Sequence, residues 1–310
     1  MKLQEVFELF LKYKKPYIKL SSLSVYEQQI DKYLGPELAE IEDEIHEVRV
    51  QEFLLSLHNK GLSNRTIKAS IVLLKTTLKW ANKNKLFIAN TDWTLEYPKS
   101  DNNNKISVYS DDQINRVLNF LIDNLSFKNI GVLTVFHTGM RIGELSGLRW
   151  GDVDVDLGII SINRNIQRVM LRDESDITKK SSKVLIQSPK SQCSKREIPL
   201  TPDLQIIYSR LKPFVSGDNY VLSNSKKPIE PRAIRPYFDA VTKYLNLPHL
   251  KFHGIRHSFA TKLIRDKADV KTVSTLLGHS NVGITMNLYV HPDFEQKQKI
   301  LNSSFKSLIS

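Results

Sequence analysis

The sequence contains a single cysteine, Cys193, among its 310 residues. One cysteine excludes an internal disulfide framework and a cysteine-based zinc site. We expect Cys193 to serve only as a small side chain in a hairpin. No apolar run approaches the roughly 20 residues of a membrane-spanning helix. Glu5 and Glu8 also interrupt the apolar start of the chain, which argues against a signal peptide. We therefore expect a cytoplasmic protein.

Acidic residues are scarce relative to basic ones. The chain has 33 Asp and Glu against 45 Lys and Arg, a formal net charge of +12. Such an excess indicates a polyanionic partner, nucleic acid first and an anionic membrane surface second, although a merely solubilising surface is an alternative. The distribution argues against that alternative, because no acidic residue occurs from Phe53 to Thr91.

The clearest helix in the sequence is "LSNRTIKASIVLLKTTLKWANKNKLF". Ser63 or Asn64 can serve as its N-cap. The apolar residues fall on one narrow face at a spacing of 3.6 residues, namely Ile67, Ile71, Leu74 and Leu78. A second, basic stripe lies about 100° round the helix. The side chains that we predict to contact DNA are Arg65, Lys68, Lys75 and Lys79.

Proline, serine and a run of asparagines interrupt the pattern after Tyr97. This composition predicts a linker over residues 99–107, between a helical DNA-binding domain (1–98) and a second domain (108–310). In the second domain two helices precede a β region with alternating and β-branched residues, and helices follow to the end. The predicted fold class is mainly α with a small antiparallel β-sheet, and the second domain is mixed α/β.

Arginine stands at an unusual place in "FHTGMRIGELSGLRWGDVD". Gly139 allows a tight turn, and Arg141 then lies at the start of a helix, where the helix dipole favours anions rather than cations. An arginine there makes sense if it helps to bind an anion such as a phosphate, for which its planar fork is suited. A surface salt bridge with Glu144 is the alternative interpretation.

Three later stretches also carry polar residues that a plain core does not need. Lys190 lies beside a turn in "SPKSQCSKREIPL", where a solvated lysine is the ordinary alternative. His253 and Arg256 in "FHGIRHSFATKLI" are three residues apart and share a helix face. His279 and Tyr289 stand ten residues apart in "LLGHSNVGITMNLYVHPD", although a lone tyrosine is more often a half-buried aromatic.

Together these stretches resemble the tyrosine recombinases, the phage integrase family. The resemblance covers most of residues 108–295 through "HTGMRIGELSGLRW", "PKSQCSKREIPL", "HGIRHSFAT" and "LLGHSNVGITMNLYVH", and it is mainly a helical pattern over residues 1–98. Since the chain starts directly at the helical domain, it is similar to the short, Xer-like members without an arm-binding domain. The resemblance implies a helical core-binding domain followed by a catalytic domain.

The resemblance also implies a catalytic set around the scissile phosphate, with Tyr289 as the nucleophile that forms a 3′-phosphotyrosyl link. The other members of the implied set are Arg141, Lys190, His253, Arg256 and His279. Two arginines can neutralise the non-bridging oxygens, and His279 can donate a further hydrogen bond. His253 is the best candidate base, Lys190 the candidate acid for the departing 5′ oxygen, and Glu144 a support for Arg141. No carboxylate cluster suits a metal, so we expect no cofactor.

These features predict a site-specific recombinase of double-stranded DNA that integrates or excises a mobile element. It would act as a homotetramer on two duplexes by exchange of a carboxy-terminal helix, with possible accessory bending or directionality factors. The apolar residues of that helix are Ile300, Leu301, Phe305, Leu308 and Ile309. A type IB topoisomerase and a non-catalytic DNA-binding regulator are the alternatives. A membrane-surface protein is disfavoured because no aromatic-rich amphipathic helix accompanies the lysines.

Overall fold

The computed structural model describes residues 1–99, 107–173, 180–189 and 194–289, together with residues 298 and 301. Contacts divide the chain into two compact units, residues 1–104 with 168–184 and residues 105–167 with 185–310. Long helices and a few short strands confirm the predicted class, mainly α with small antiparallel β structure. The predicted domain bounds stay a prediction. Within the described ranges no helix has the length and apolar character needed to cross a bilayer.

The first unit is built mostly of helices, and the longest of those described, α5 (Asn64–Lys83), lies where the sequence predicts a helix. α5 is capped by the Ser63 side chain, which accepts a hydrogen bond from the Thr66 backbone N–H at 3.3 Å. α2 (Leu20–Gln29) follows Lys19, an N-cap residue whose side chain makes no capping hydrogen bond. The helices are α1 (Leu3–Lys14), α2 (Leu20–Gln29), α3 (Gly35–Leu38), α4 (Glu47–Asn59) and α5 (Asn64–Lys83), with a π-helical turn over Ile30–Leu34.

The two stripes of α5 have the predicted burial. All four apolar residues of its packing face are buried, and they join Phe7, Phe10 and Phe53 in the core of this unit. On the basic stripe, Arg65, Lys68 and Lys79 are exposed and Lys75 is half-buried. The Lys68 ammonium lies 5.0 Å from the centre of the Tyr97 ring, so part of its charge interacts with that ring.

An ion-pair cluster centred on Arg172 belongs to the first unit, because residues 168–184 cluster with it. The Arg172 side chain is 10% exposed and lies 2.7 Å from a Glu8 carboxylate oxygen. It also pairs with Asp31, which in turn accepts Lys180 at 2.7 Å. A desolvated arginine needs such partners. The sequence contained no signal for this pairing, since Glu8 and Arg172 are far apart along the chain.

The second unit carries the remaining helices around a small sheet. Its helices are α6 (Asp111–Asp123), α7 (Phe127–Thr138), α8 (Ile142–Gly147), α9 (Pro202–Leu211), α10 (Pro231–Tyr244), α11 (His253–Arg265), α12 (Val270–Leu277) and α13 (Val282–Tyr289). Ser110 caps α6 in a capping box with Gln113. The strands are β1 (Val153–Asp154), β2 (Ile159–Ser161), β3 (Asn165–Arg172), β4 (Lys180–Gln187) and β5 (Glu197–Pro199), of which β3 and β4 extend into the first unit.

The strands form two sheets rather than the one that the sequence predicted. β1, β2 and β5 make an antiparallel three-stranded sheet, whereas β3 and β4 pair with each other. Between β2 and β3 the side chains of Asn163 and Arg164 donate to the two carboxylate oxygens of Asp152. These bonds fix the chain beside the start of β1, and β3 follows directly after them.

The core of the second unit sets the frame of the candidate site. α7 is buried along most of its length, and α11 packs against it. Both α7 and α12 end in a glycine with a left-handed backbone, Gly139 at φ 62° and Gly278 at φ 64°. Such residues end a helix and leave its last carbonyl groups available to other donors. Those two helix ends lie where the predicted catalytic arginines are found.

Candidate active site

Arg141 is the N-cap residue of α8 and lies at the end of the turn that follows Gly139. Its guanidinium donates to a Glu144 carboxylate oxygen at 2.8 Å and to the carbonyl oxygen of Gly278 at 3.1 Å. The side chain keeps 35% of its surface exposed, whereas that of Glu144 is only 3% exposed. The ion pair with Glu144 therefore exists, but it is a buried support rather than the surface salt bridge of the alternative interpretation.

Glu144 holds a second arginine that sequence reasoning missed. Arg196, immediately before β5, donates to both Glu144 carboxylate oxygens, at 3.2 and 3.0 Å. Its Nε donates to the Leu276 carbonyl oxygen at 2.6 Å, close in sequence to His279. Burial raises the pKa of Glu144, but the two arginines outweigh it and hold that pKa below its usual range. The sequence signal for Arg196 was in "SKREIPL", where this arginine directly precedes a strand whose Ile198 is buried.

Arg256 is buried on α11, with 2% of its surface exposed. One guanidinium nitrogen donates to the Gly139 carbonyl oxygen at 2.9 Å and the other to that of Leu277 at 2.7 Å. Both acceptors lie at the negative ends of helices, α7 and α12, where a cation is stabilised. Burial and Arg141 lower the pKa of Arg256, yet a guanidinium stays charged at neutral pH.

Two histidines lie one turn apart at the start of α11. His253 is accessible to solvent and His257 is half-buried. Their ring centres are 4.7 Å apart and nearly perpendicular. Partial desolvation by the walls of the site, then the charges of His257, Arg256 and Arg141, lower the pKa of His253. His253 is therefore neutral at pH 7, as a proton acceptor must be.

His279 follows the Gly278 turn and is held by α13. Its Nδ1 is 2.8 Å from the hydroxyl oxygen of Thr285, a residue with no exposed surface. When that hydroxyl donates to Nδ1, the neutral ring carries its proton on Nε2 and can donate it to an anion. Burial, followed by the charges of Arg256 and Arg141, lowers the pKa of His279 to about 4.

Tyr289 is the last described residue of α13 and is 8% exposed. Its ring packs in a small apolar cluster with Ala260, Val273 and Leu277. The hydroxyl is 2.6 Å from Nδ1 of His257. Burial raises the pKa of Tyr289, and the charge of Arg256 opposes this shift. The phenol is thus protonated at neutral pH and needs a base before it can attack.

Not every predicted site residue can be placed. Lys190 and Cys193 lie outside the described residues, and so do four of the five apolar residues predicted for the carboxy-terminal helix. The fifth, Leu301, is 58% exposed. Charge interactions link five of the predicted residues: Arg141 and Arg256 both act on His253 and His279, and Arg256 acts on Tyr289.

The chemistry of this arrangement suits a phosphodiester. Two cationic guanidinium groups, those of Arg141 and Arg256, interact with the neutral imidazole of His279, and Arg256 also interacts with the Tyr289 hydroxyl. Preorganised cations and donors stabilise the charge of a pentavalent phosphorus without rearrangement during the reaction. The buried carboxylate of Glu144 holds Arg141, and the carbonyl oxygens of Gly139 and Leu277 hold Arg256, so both guanidinium groups are fixed before any substrate arrives.

Comparisons with known proteins agree with the family resemblance that the sequence motifs indicated. A sequence model of the phage integrase family matches residues 108–296. A XerC-like tyrosine recombinase of Caldanaerobacter subterraneus is 32% identical over 274 residues, which cover 82% of this chain and 69% of the relative. More than half of the chain thus matches the family, and a relative above 30% identity extends the match into the first unit.

Solved structures share the fold. The Tn1549 transposon integrase bound to a circular intermediate DNA superimposes with a TM-score of 0.78 at 20% identity, covering 98% of this chain and all of that one. A lambda integrase tetramer bound to a Holliday junction matches with a TM-score of 0.68 at 17% identity, over 95% of this chain and 80% of that one. The chain therefore belongs to the phage integrase family and is a tyrosine recombinase, an enzyme of site-specific DNA strand breakage and rejoining.

Proposed function

We propose that this recombinase moves a mobile element, cutting and rejoining double-stranded DNA at the ends of that element. The observation that carries the proposal is the buried Arg256, held by two helix-end carbonyl groups beside the hydroxyl-bearing Tyr289. A cation fixed next to a nucleophile can stabilise the negative charge of a phosphate that this nucleophile attacks. The similarity to a transposon integrase favours mobile-element DNA as the substrate.

In the proposed cleavage step the Tyr289 oxygen attacks the scissile phosphorus. A bond forms between phosphorus and the tyrosine oxygen, and the bond from phosphorus to the 5′ oxygen breaks. Arg141 and Arg256 contact the non-bridging oxygens, and His279 donates from Nε2. Lys190 gives a proton to the 5′ oxygen, and a neutral histidine takes the phenol proton, for which the sequence favours His253. The phosphotyrosyl link conserves the bond energy, so rejoining needs no ATP.

The proposed partner is a pair of DNA duplexes bound by a homotetramer in the cytoplasm. DNA would contact the helical domain (1–98) and the catalytic domain (108–310), joined by the linker at 99–107. The lambda integrase tetramer on a Holliday junction supports this assembly by analogy of fold. Exchange of the carboxy-terminal helix between protomers would couple the sites, and accessory bending or directionality factors would select the outcome.

The central test is covalent adduct formation. The full chain is incubated with nicked suicide duplexes that carry candidate junctions from the DNA around its own gene, with EDTA present. We expect a protein–DNA adduct on a denaturing gel at one junction, with the protein joined to the 3′ phosphate end that the cut creates. If the protein binds the junctions tightly but forms no adduct at any of them, the proposal is contradicted and a DNA-binding regulator is favoured. Relaxation of a single supercoiled duplex without strand exchange between two duplexes would favour a topoisomerase.

The basic stripe of α5 has its own test, which needs no specific site. Each phosphate contact contributes about 0.9 to the slope of log affinity against log salt concentration. If Arg65 and Lys79 contact phosphates, the Arg65→Gln/Lys79→Gln variant should lower that slope by about 2 on a duplex of arbitrary sequence. Fluorescence anisotropy at several salt concentrations measures it.

Lys60 provides the matched control, because it already pairs with Glu37 at 2.5 Å in the same acid-poor part of the chain. Lys60→Gln should leave the slope unchanged. An unchanged slope in the double variant would show that this stripe does not face DNA.

A further inference from the structure

His257 contacts the tyrosine hydroxyl directly, and neither the sequence motifs nor the proposed cleavage step assigned it a role. It lies one turn after His253 on α11, and its Nδ1 is 2.6 Å from the Tyr289 oxygen. The two rings are 5.6 Å apart and tilted by 52°. The described contact to the attacking oxygen therefore comes from His257, while His253 was the predicted base.

The two arginines Arg141 and Arg256 act on different sets of side chains in the site. The charges of Arg141 and Arg256 both lower the pKa of His253, and they do the same to His279. The charge of Arg256 also acts to lower the pKa of Tyr289 and that of His257. Arg256 thus acts on all four residues, and we call His253 and His279, on which Arg141 also acts, the phosphate side and the bonded pair of His257 and Tyr289 the nucleophile side.

The protonation states suit a proton transfer on the nucleophile side. Burial and then the charge of Arg256 lower the pKa of His257, so its ring is neutral at pH 7. Burial raises the pKa of Tyr289, so the hydroxyl keeps its proton. The groups that face His257 are His253 and Arg256 from α11 and Tyr289 from α13. With the ring proton on Nε2, the free Nδ1 accepts a hydrogen bond from the phenol.

We propose that His257, rather than His253, accepts the Tyr289 proton in strand cleavage, an inference that rests on the proposed function. The proton moves from the phenol oxygen to Nδ1 as that oxygen bonds to phosphorus, and the 5′ oxygen leaves with a proton from Lys190. The imidazolium then returns its proton to the tyrosine when a DNA 5′ hydroxyl reverses the step. His253, next to Arg141 and Arg256, contacts the phosphate instead.

The first test needs no DNA. In full-length protein labelled with nitrogen-15 in its histidine rings, the spectrum of His257 reports which nitrogen carries the proton. We expect an unprotonated Nδ1 whose signal shifts in the Tyr289→Phe variant, while the signals of His249, a surface histidine, stay unchanged. A proton on Nδ1 would make the imidazole the donor, and it would overturn the proposal.

The second test measures single-turnover cleavage of the nicked junction. His257→Asn keeps a polar group near the hydroxyl but cannot take its proton, so we expect cleavage to slow by roughly a hundredfold with unchanged DNA binding. His257→Ala should regain activity when imidazole is added to the buffer, and more basic imidazoles should restore it more. His249→Asn is the control and should cleave like wild type.

Three kinetic results would overturn the proposal. Cleavage by His257→Asn at the rate of the wild type would show that a hydrogen bond to the tyrosine hydroxyl is enough and that no proton transfer to this residue is needed. Faster cleavage by either variant would show that His257 restrains the tyrosine. Slow cleavage with weakened DNA binding and no response to imidazole would show a structural role. If wild type itself forms no adduct, the proposed function fails, and the histidine spectrum still decides the hydrogen bond.

Discussion

Tyr289→Phe should abolish the covalent protein–DNA adduct, because the phenylalanine ring offers no oxygen to attack phosphorus. Loss of a covalent nucleophile removes the reaction path itself, so the expected fall in cleavage is at least about 10⁴-fold, below detection on a denaturing gel. The measurement compares wild type and variant on the same nicked suicide duplex. Gel shifts without denaturant should show the same affinity for DNA in both proteins.

The fold should tolerate this substitution, which makes the result interpretable. The aromatic ring stays in its cluster with Ala260, Val273 and Leu277, and only the hydroxyl bonded to His257 is lost. One hydrogen bond contributes about 1 kcal/mol, so the thermal midpoint should change by only a few degrees. An adduct that persists in the variant would show that another residue is the nucleophile.

Glu144→Ala should cause a large loss of stability, because it leaves the buried Arg196 and the adjoining Arg141 without their carboxylate. The Glu144 side chain is 3% exposed and that of Arg196 5% exposed, so water cannot replace the lost partner. Breaking a buried ion pair from one side costs about 3–5 kcal/mol. For a unit of this size the thermal midpoint should fall by about 10 °C or more. Differential scanning calorimetry measures it.

A surface pair offers the matched control. Lys212 and Asp156 are 2.7 Å apart, with side chains 57% and 81% exposed. Such a pair contributes about 0–1 kcal/mol, so Asp156→Ala should barely change the thermal midpoint. Equal effects of the two substitutions would show that Glu144 does not hold the arginines in solution.

The pH dependence of Glu144 provides a second readout. Its pKa is lowered in the folded chain, so its ionised form adds stability above the unfolded pKa of about 4.3. That contribution is lost as pH falls through the folded pKa. The difference in free energy of unfolding between wild type and Glu144→Gln should therefore be largest near neutral pH and shrink under acidic conditions. A difference independent of pH would contradict this.

Local pattern was enough to predict the helices with strong signals. α5 occupies the predicted residues, because amphipathic spacing and a serine cap are properties of a short segment. In contrast, the small sheet predicted as one is two sheets within the described residues. Strand pairing joins segments that are separate in the sequence, so the period of two within a strand does not record which strands pair.

The sequence alone determined the family and the chemical types of its site, because the spacing of Arg141, His253, Arg256, His279 and Tyr289 is a property of the chain. Only the tertiary structure decided their partners. Gly139 and Leu277 accept from Arg256, Glu144 joins two arginines, and the tyrosine hydroxyl lies against His257. These contacts join residues up to 117 positions apart, as between Gly139 and Arg256. Packing of separate helix ends creates them, and no local sequence pattern records which ends will meet.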